Sequence, residues 1–298
     1  MSSQFENIPG GSYRLNTGYY IPLVGFGTYK VVGESVLPAI DAALTAGYRL
    51  FDTAKYYKNE KEIGEALKVL LPKHNLKRSD IFITSKMFPT FPNTLEAAKF
   101  DFEESMRDLQ IDYIDMYLVH FPKPNATKDD DPKNPEYRKI VYQTLEKYYE
   151  AGRVRSIGIS NYEIRHIEDL KTYANIQPVA NQLEYHPHFA RIELKKYCDD
   201  NGIYFQAFSS LARHEPALIE DPTVVQLAAK HNTTVPLVLL AWALCQGVGI
   251  VPKSVTPSRI AENFKVINIK LTSEEIESLR KLNKDQHYIR CHGWLVEY

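Results

Sequence analysis

Cysteine and tryptophan are scarce in this 298-residue chain, at three and two copies, and neither sign of charge dominates. Cys198, Cys245 and Cys291 stand far apart, an odd number without C-x-x-C spacing. That excludes a disulfide framework and a cysteine-based zinc site, and fits reduced thiols in a cytoplasmic protein. No H-x-x-x-H pair offers metal ligands either. A net charge of −1 and a pI near 6.8 leave no footprint for nucleic acid or an anionic membrane surface. The longest apolar run, Val235 to Cys245, is too short to span a bilayer. The opening "MSSQFENIPGG" has no basic segment followed by an apolar one, so secretion is not expected. The dinucleotide fingerprint G-x-G-x-x-G fails, because "GFGTYK" has Gly25 and Gly27 but Lys30 in the third place. No serine sits in a nucleophile elbow.

Tyrosine, by contrast, occurs 20 times, and a composition 44% hydrophobic and 24% charged suits a globular protein with a large core. "SYRLNTGYYIPLV" reads as a hairpin turning at Asn16-Thr17-Gly18. After it, an amphipathic helix, a glycine and a short β-rich run recur. The helix Val36 to Ala46 stops at Gly47 before "YRLFDT", and one near Ile140 to Ala151 stops at Gly152 before "RVRSIGIS". Others stop at Gly202 before "IYFQAFSS" and at Gly247 before "VGIVPKS". Glycine ends a helix by taking the left-handed conformation. With "PLVGFGTY", "DIFITSKM", "DYIDMYLVH" and "PVANQLEYH", eight strands alternate with helices. Alternation calls for a parallel sheet covered by helices. With the open-sheet fingerprint missing and no linker in sight, the expectation is one α/β domain over 1–298. It is a closed (β/α)8 TIM barrel with an N-terminal hairpin, in which the polar stretch 123–137 is a long loop.

Catalytic groups in such a barrel come from the C-terminal ends of strands. That rule selects Asp52, Lys86, His120, Ser160-Asn161, Gln182, Ser209-Ser210 and Lys253-Ser254. Singly, each has an ordinary structural explanation: a solvated lysine, a core histidine, a helix cap. Together they gather an acid, a base and an imidazole at one mouth, beside the tyrosines of "LFDTAKYYKNE". A free tyrosine titrates near 10. An adjacent ammonium favours its phenolate, and a carboxylate holds the ammonium in place. Asp52, Lys86 and Tyr57 can form that chain, with His120 aimed at a substrate oxygen. The residues alone do not separate Tyr57 from Tyr56. A positioned acid without a nucleophile suits carbonyl reduction by hydride from a cofactor.

"FDTAKYYKNE", "ITSK", "LVH", "SIGISN", "NQLEYHP", "AFSS" and "IVPKSVTPSRIAENF" resemble the successive signatures of the aldo-keto reductases, in order from about Leu23 to Leu282. The resemblance implies a monomeric barrel that binds NADPH/NADP+ across its mouth and reduces a small aldehyde or ketone. It selects Tyr57 as general acid, tuned by Asp52 and Lys86, with His120 orienting the carbonyl. It implies Gly27, Thr28 and Asp52 at the nicotinamide ring and ribose, and Ser160, Asn161 and Gln182 at the carboxamide. Phe208 would stack on the ring, and Ser209, Ser210 and Leu211 would meet the pyrophosphate. Lys253, Ser254, Val255, Thr256 and Arg259 match the pocket for the adenosine 2′-phosphate, with Glu262 and Asn263 near the adenine. The residues agree: a proline at a helix start behind Thr256, with two cations and hydroxyls, makes an anion site.

The pattern departs in places. Lys58 follows the tyrosine where glycine is frequent, and Tyr29, Phe88 and Phe121 stand where many carbonyl-reducing members carry tryptophan. These three, with Tyr57, His120 and Trp294 of a C-terminal substrate loop, are the expected substrate wall. Three rivals have distinct marks. A nicotinamide-binding regulatory barrel would bind without turnover. A Schiff-base aldolase would form an adduct at Lys86. A steroid double-bond reductase of this family would carry Glu in place of His120.

Overall fold

In the computed structural model, which describes residues 4–289, the chain begins with an antiparallel hairpin. Its strands are β1 (Ser12–Arg14) and β2 (Tyr20–Pro22), with Ser12 opposite Pro22 and Arg14 opposite Tyr20. Eight strands follow in a single sheet in chain order: β3 (Gly25–Gly27), β4 (Leu50–Asp52), β5 (Phe82–Met87), β6 (Met116–Val119), β7 (Ile157–Ser160), β8 (Ala180–Glu184), β9 (Tyr204–Phe208) and β10 (Gly249–Ile250). Every neighbouring pair is parallel. The edges meet through a parallel bridge between Val24 and Ile250. There Ile250 N–H donates to the Leu23 carbonyl at 2.8 Å, and Gly27 N–H to that of Pro252 at 3.1 Å. The expected closed barrel and its hairpin are therefore present.

Parallel neighbours need a crossover, and helices supply it. They are α1 (Val36–Ala46), α2 (Glu60–Lys73), α3 (Thr94–Leu109), α4 (Asn134–Glu150), α5 (Ile164–Lys171), α6 (Ile192–Asp200), α7 (Pro216–Ile219), α8 (Pro222–Lys230), α9 (Val235–Leu244), α10 (Pro257–Phe264) and α11 (Ser273–Arg280). Helix α1 has its expected bounds. Gly47 ends it at φ +107°, where a Cβ would also press to 2.9 Å from the Phe264 ring. Helix α4 begins at Asn134, inside the stretch read as loop to residue 137. Its polar first turn has no apolar period to announce it, and Pro135 is tolerated there because a first-turn N–H has no intrahelical partner. None of the helices among the described residues is long and apolar enough to cross a membrane.

Side chains alternate by two along each strand, so one set fills the barrel and the other packs under the helices. Phe51, Ile83, Tyr117, Val119, Ile157 and Ile159 belong to the helix-facing core. Leu50, Phe82, Met116, Leu118, Ala180 and Tyr204 form a separate apolar plug inside the barrel. The hairpin side seals this plug with Phe5, Leu15 and Ile21, and Tyr13 stacks on Tyr204 at 4.6 Å. Two residues farther along four of these strands, and four farther on β6, the filling turns polar. There stand Asp52, Thr84 and then Lys86, His120 just past β6, Gln182 and Gln206.

Candidate active site

Lys86 is fully buried, which is tolerable only because each of its three ammonium hydrogens has an acceptor. Nζ donates to Asp52 Oδ1 at 2.6 Å, to the Thr53 carbonyl at 2.9 Å and to the Tyr57 hydroxyl oxygen at 3.3 Å. Gln182 completes the carboxylate, with Nε2 donating to Asp52 Oδ2 at 2.7 Å and to Gln206 Oε1 at 2.8 Å. Burial pulls the Lys86 pKa down, while the charge and hydrogen bond of Asp52, then the charge of Glu60, oppose it.

Tyr57 ends a short 3-10 turn, Lys55–Tyr57, directly above β4. Lys58 closes that turn in the left-handed region at φ +55°, which explains why glycine suits this position. Asn59 braces the turn. Its Nδ2 donates to the Thr28 and Val31 carbonyls at 2.9 Å each, and its Oδ1 accepts from Thr53 Oγ1 at 2.8 Å. The turn carries the Tyr57 hydroxyl onto Lys86, while Tyr56 is 53% exposed and sets its ring edge-on to Phe88.

His120 follows β6, its backbone N–H donating to the Met87 carbonyl at 2.8 Å and its backbone carbonyl accepting from Asn161 Nδ2 at 3.0 Å. Burial, and after it the charge of Lys86, hold its pKa well below the ordinary histidine value, so the ring is neutral near pH 7. A neutral imidazole keeps one N–H to donate. Its ring lies 4.5 Å from Phe88 and 5.9 Å from Tyr57, and Phe88 stacks on Phe121 at 4.7 Å.

Above these groups opens a cavity of about 560 Å³. Of the residues expected around it, Gly27, Tyr29, Asp52, Tyr57, Phe88, His120, Phe121, Asn161, Gln182, Phe208, Ser209, Ser210, Leu211 and Lys253 line it. Gly27 has a packing reason as well, since a Cβ there would lie 2.5 Å from the Val251 carbonyl oxygen. Like Lys86, two more candidates sit behind the wall. Thr28 is fully buried with Oγ1 donating to the Asp52 carbonyl at 2.9 Å. Ser160 donates to the Gln182 carbonyl at 2.8 Å and accepts from Asn161 Nδ2 at 3.0 Å. Ser254, Val255, Thr256, Arg259, Glu262 and Asn263 lie beyond the cavity, on the run after β10 and on α10. Trp294 falls outside the described residues.

Tyr56, the alternative to Tyr57, also lines the cavity, as do residues the sequence does not single out: Asn125, Arg213, His214, Val251, Pro252 and Ile289. Nor does the sequence mark Lys30 for this site, whose charge, after burial, lowers the pKa of Lys253. Two cations near enough to feel each other's charge suit an anion. A second sign lies in the loop after β9. Ser210 is buried, and its Oγ has no hydrogen-bond partner among the described residues. Ser209, Ala212, Arg213 and His214 around it all have positive φ. An unpaired buried hydroxyl between Ser209 and a turn carrying Arg213 fits a phosphorylated ligand at this end of the cavity. Asn161 keeps its amide group at the wall, and Gln182, its N–H groups engaged, is left an oxygen acceptor.

The whole chain finds close relatives. Aldose reductase B of Dictyostelium discoideum is 36% identical over 93% of this chain and 94% of its own length. Glyoxal reductase of Bacillus subtilis (strain 168) is 36% identical over 92% and 93%. Among solved structures, the aldose reductase from Schistosoma japonicum superposes with a TM-score of 0.85 at 35% identity, over 96% of this chain and 97% of that one. Residues 23–284 match the Aldo/keto reductase family, whose members generally use nicotinamide cofactors. By these matches and its barrel, the chain belongs to the aldo/keto reductase family, a family of carbonyl-reducing oxidoreductases.

Proposed function

We propose that this protein reduces small aldehydes or ketones to alcohols with NADPH, and that Tyr57 donates the proton. The observation that carries the proposal is the buried Lys86 ammonium, fixed by Asp52 and pointing at the Tyr57 oxygen. Bound NADPH supplies the hydride. Tyr57 gives its proton to the carbonyl oxygen, and the ammonium 3.3 Å away stabilises the phenolate that remains. Asp52 keeps Lys86 charged and aimed; Gln182 and the Thr53 carbonyl keep both in place. Neutral His120 orients the carbonyl oxygen by its N–H, while the Phe88–Phe121 stack and Tyr29 exclude water and offer flat apolar contact.

Lys253, Ser254, Thr256 and Arg259 would bind the adenosine 2′-phosphate, with Lys30 adding charge at Lys253. That is the basis for preferring NADPH to NADH. The two relatives named for aldose and glyoxal put sugar aldehydes and small dicarbonyls first among substrates to try, and the aromatic wall of Tyr29, Phe88 and Phe121 adds aromatic aldehydes. The experiment is NADPH oxidation followed at 298 K across a panel of aldehydes and ketones, with and without a chelator. Turnover that survives the chelator is expected. Tight NADPH binding with no turnover across the panel would leave the regulatory-barrel reading instead.

A further inference from the structure

Strand β8 does more than supply Gln182. Two residues on, Glu184 stands at the barrel rim beside Phe208, with which it is paired in register. The residue is 5% exposed, and its carboxylate receives three N–H groups. Oε1 accepts from Tyr288 N–H at 2.7 Å and lies 3.0 Å from His186 Nε2; Ile289 N–H reaches both oxygens at 3.2 Å. The loop that follows continues the cradle. The His188 carbonyl accepts from Lys284 and Gln286 N–H, and Ala190 N–H donates to Asn283 Oδ1 at 3.0 Å. Tyr288 is held twice more: its ring stacks on His186 at 5.3 Å, and its hydroxyl meets His188 Nδ1 at 2.7 Å. Glu184, His186 and His188 are all buried, yet none touches the Lys86 network. Their partners lie about a hundred residues away, in a segment that includes Ile289, which lines the substrate cavity.

We propose that Glu184 is a specificity-determining positioning residue: it anchors the segment 283–289 to the rim and thereby sets the Ile289 wall of the substrate pocket. A carboxylate suits the task because only acceptors face the two adjacent backbone N–H groups and the imidazole. Glutamine has one acceptor oxygen in place of two and turns an NH2 toward a donor, so at least one buried N–H loses its partner.

The test compares the wild type with Glu184→Gln and with Tyr288→Phe, which removes only the hydroxyl link to His188 and leaves the barrel untouched. The effect on substrate choice rests on the carbonyl-reductase reading; the anchoring does not, so it is measured separately by hydrogen exchange of peptides covering 283–289. Exchange there should quicken about tenfold in Glu184→Gln, equivalent to about 1.4 kcal/mol, and roughly threefold in Tyr288→Phe. The KM for an aromatic aldehyde should shift about fivefold or more in Glu184→Gln, while the KM for a three-carbon dicarbonyl and the kcat for both stay within about twofold. A residue that merely supported the fold would move all of these together with NADPH affinity, and that outcome overturns the proposal. So does unchanged exchange, or faster exchange with an unchanged ratio of the two KM values. Should Glu184→Gln fail to fold, Glu184→Asp, which keeps the charge but draws it back from the Tyr288 and Ile289 N–H groups, decides with the same readouts. Should the wild type turn over no carbonyl, the reductase reading falls, and the exchange result still decides the anchor.

Discussion

On β4, Leu50 and Asp52 enter the same barrel two residues apart, yet Leu50 lies in a dry plug and Asp52 in a charged network. β5 repeats the change from Phe82 to Lys86, β6 from Met116 to His120, β8 from Ala180 to Gln182 and β9 from Tyr204 to Gln206. The lower end, sealed by the hairpin, is apolar and gains stability by burial, about 1.5–3 kcal/mol for each large side chain. The upper end buries ionised and polar groups whose desolvation is costly, and tolerates residues in left-handed backbone such as Lys58, Asn161 and Ser209. One scaffold thus assigns stability to one end of each strand and chemistry to the other. The two should respond to mutation separately.

The separation is tested most severely at its upper end. Tyr57→Phe should reduce carbonyl turnover by ~10²–10⁴-fold, the usual worth of a positioned acid, with NADPH affinity and unfolding midpoint close to wild type. Tyr56→Phe, one residue away but turned outward, should cost far less. Equal losses in steady-state assays would mean that the Lys86 contact does not identify the acid.

Next in size is a change in the plug. Leu118→Ala removes a fully buried side chain from the apolar layer and should cost about 2–5 kcal/mol in urea unfolding, through lost burial plus a cavity. Activity per folded molecule should be unchanged. A fall in kcat/KM comparable to the stability loss would show that the two ends are coupled through β6, against the separation argued above.

This division was partly legible before any coordinates. Period and punctuation are local: Gly47, Gly152, Gly202 and Gly247 all have positive φ, as helix ends require, and the alternation gave the barrel. Asp52, Lys86 and His120 were legible because strand ends are local too, and the barrel rule brings them together. What stayed hidden depends on residues far apart in sequence. Glu184 meets Tyr288, Lys30 approaches Lys253, and Glu60 accepts from Ser85 at 2.6 Å and Ser105 at 2.9 Å. No periodicity announces such meetings. The start of α4 carries no such signal because its first turn is polar, and nothing local turns Tyr57 rather than Tyr56 inward; only the resemblance separates them.

Beyond the cavity the comparison sharpens on the cofactor. Arg259 is exposed on α10, and Lys253 lies at the cavity edge. A charge-assisted hydrogen bond contributes about 1.5–3 kcal/mol, so Arg259→Met should weaken NADPH binding roughly 10–150-fold. NADH lacks the phosphate and should change less than about threefold. Fluorescence titration of both cofactors measures this, and salt should erode NADPH affinity more in the wild type than in the variant. Equal losses for the two cofactors would assign Arg259 to the fold or the adenine.

The smallest effect concerns acid. Three histidines at the upper end are held below their ordinary range. Burial and then Lys86 keep His120 well below it; burial, then Arg138 and Arg165, bring His166 to about 3; burial, then Lys284 and His186, bring His188 to about 4. His166 also accepts the Glu163 N–H at Nδ1, which requires that nitrogen to be unprotonated. In the unfolded chain each takes up a proton near pH 6.5. The unfolded state therefore binds more protons below that pH, and the stability these groups contribute, complete above 6.5, is lost as pH falls toward the folded values. Within that window each histidine adds a slope approaching about 1.4 kcal/mol per pH unit. His166→Asn keeps a side-chain acceptor for the Glu163 N–H and removes the titration, so its stability should decline less steeply between about pH 6 and 5, by about that amount per unit. Leu118→Ala, in the plug, should give a curve parallel to the wild type and displaced downward. Urea midpoints at three pH values distinguish the outcomes. A wild-type slope in His166→Asn would remove this histidine from the acid response, and an altered slope in Leu118→Ala would tie the plug to the titrating end.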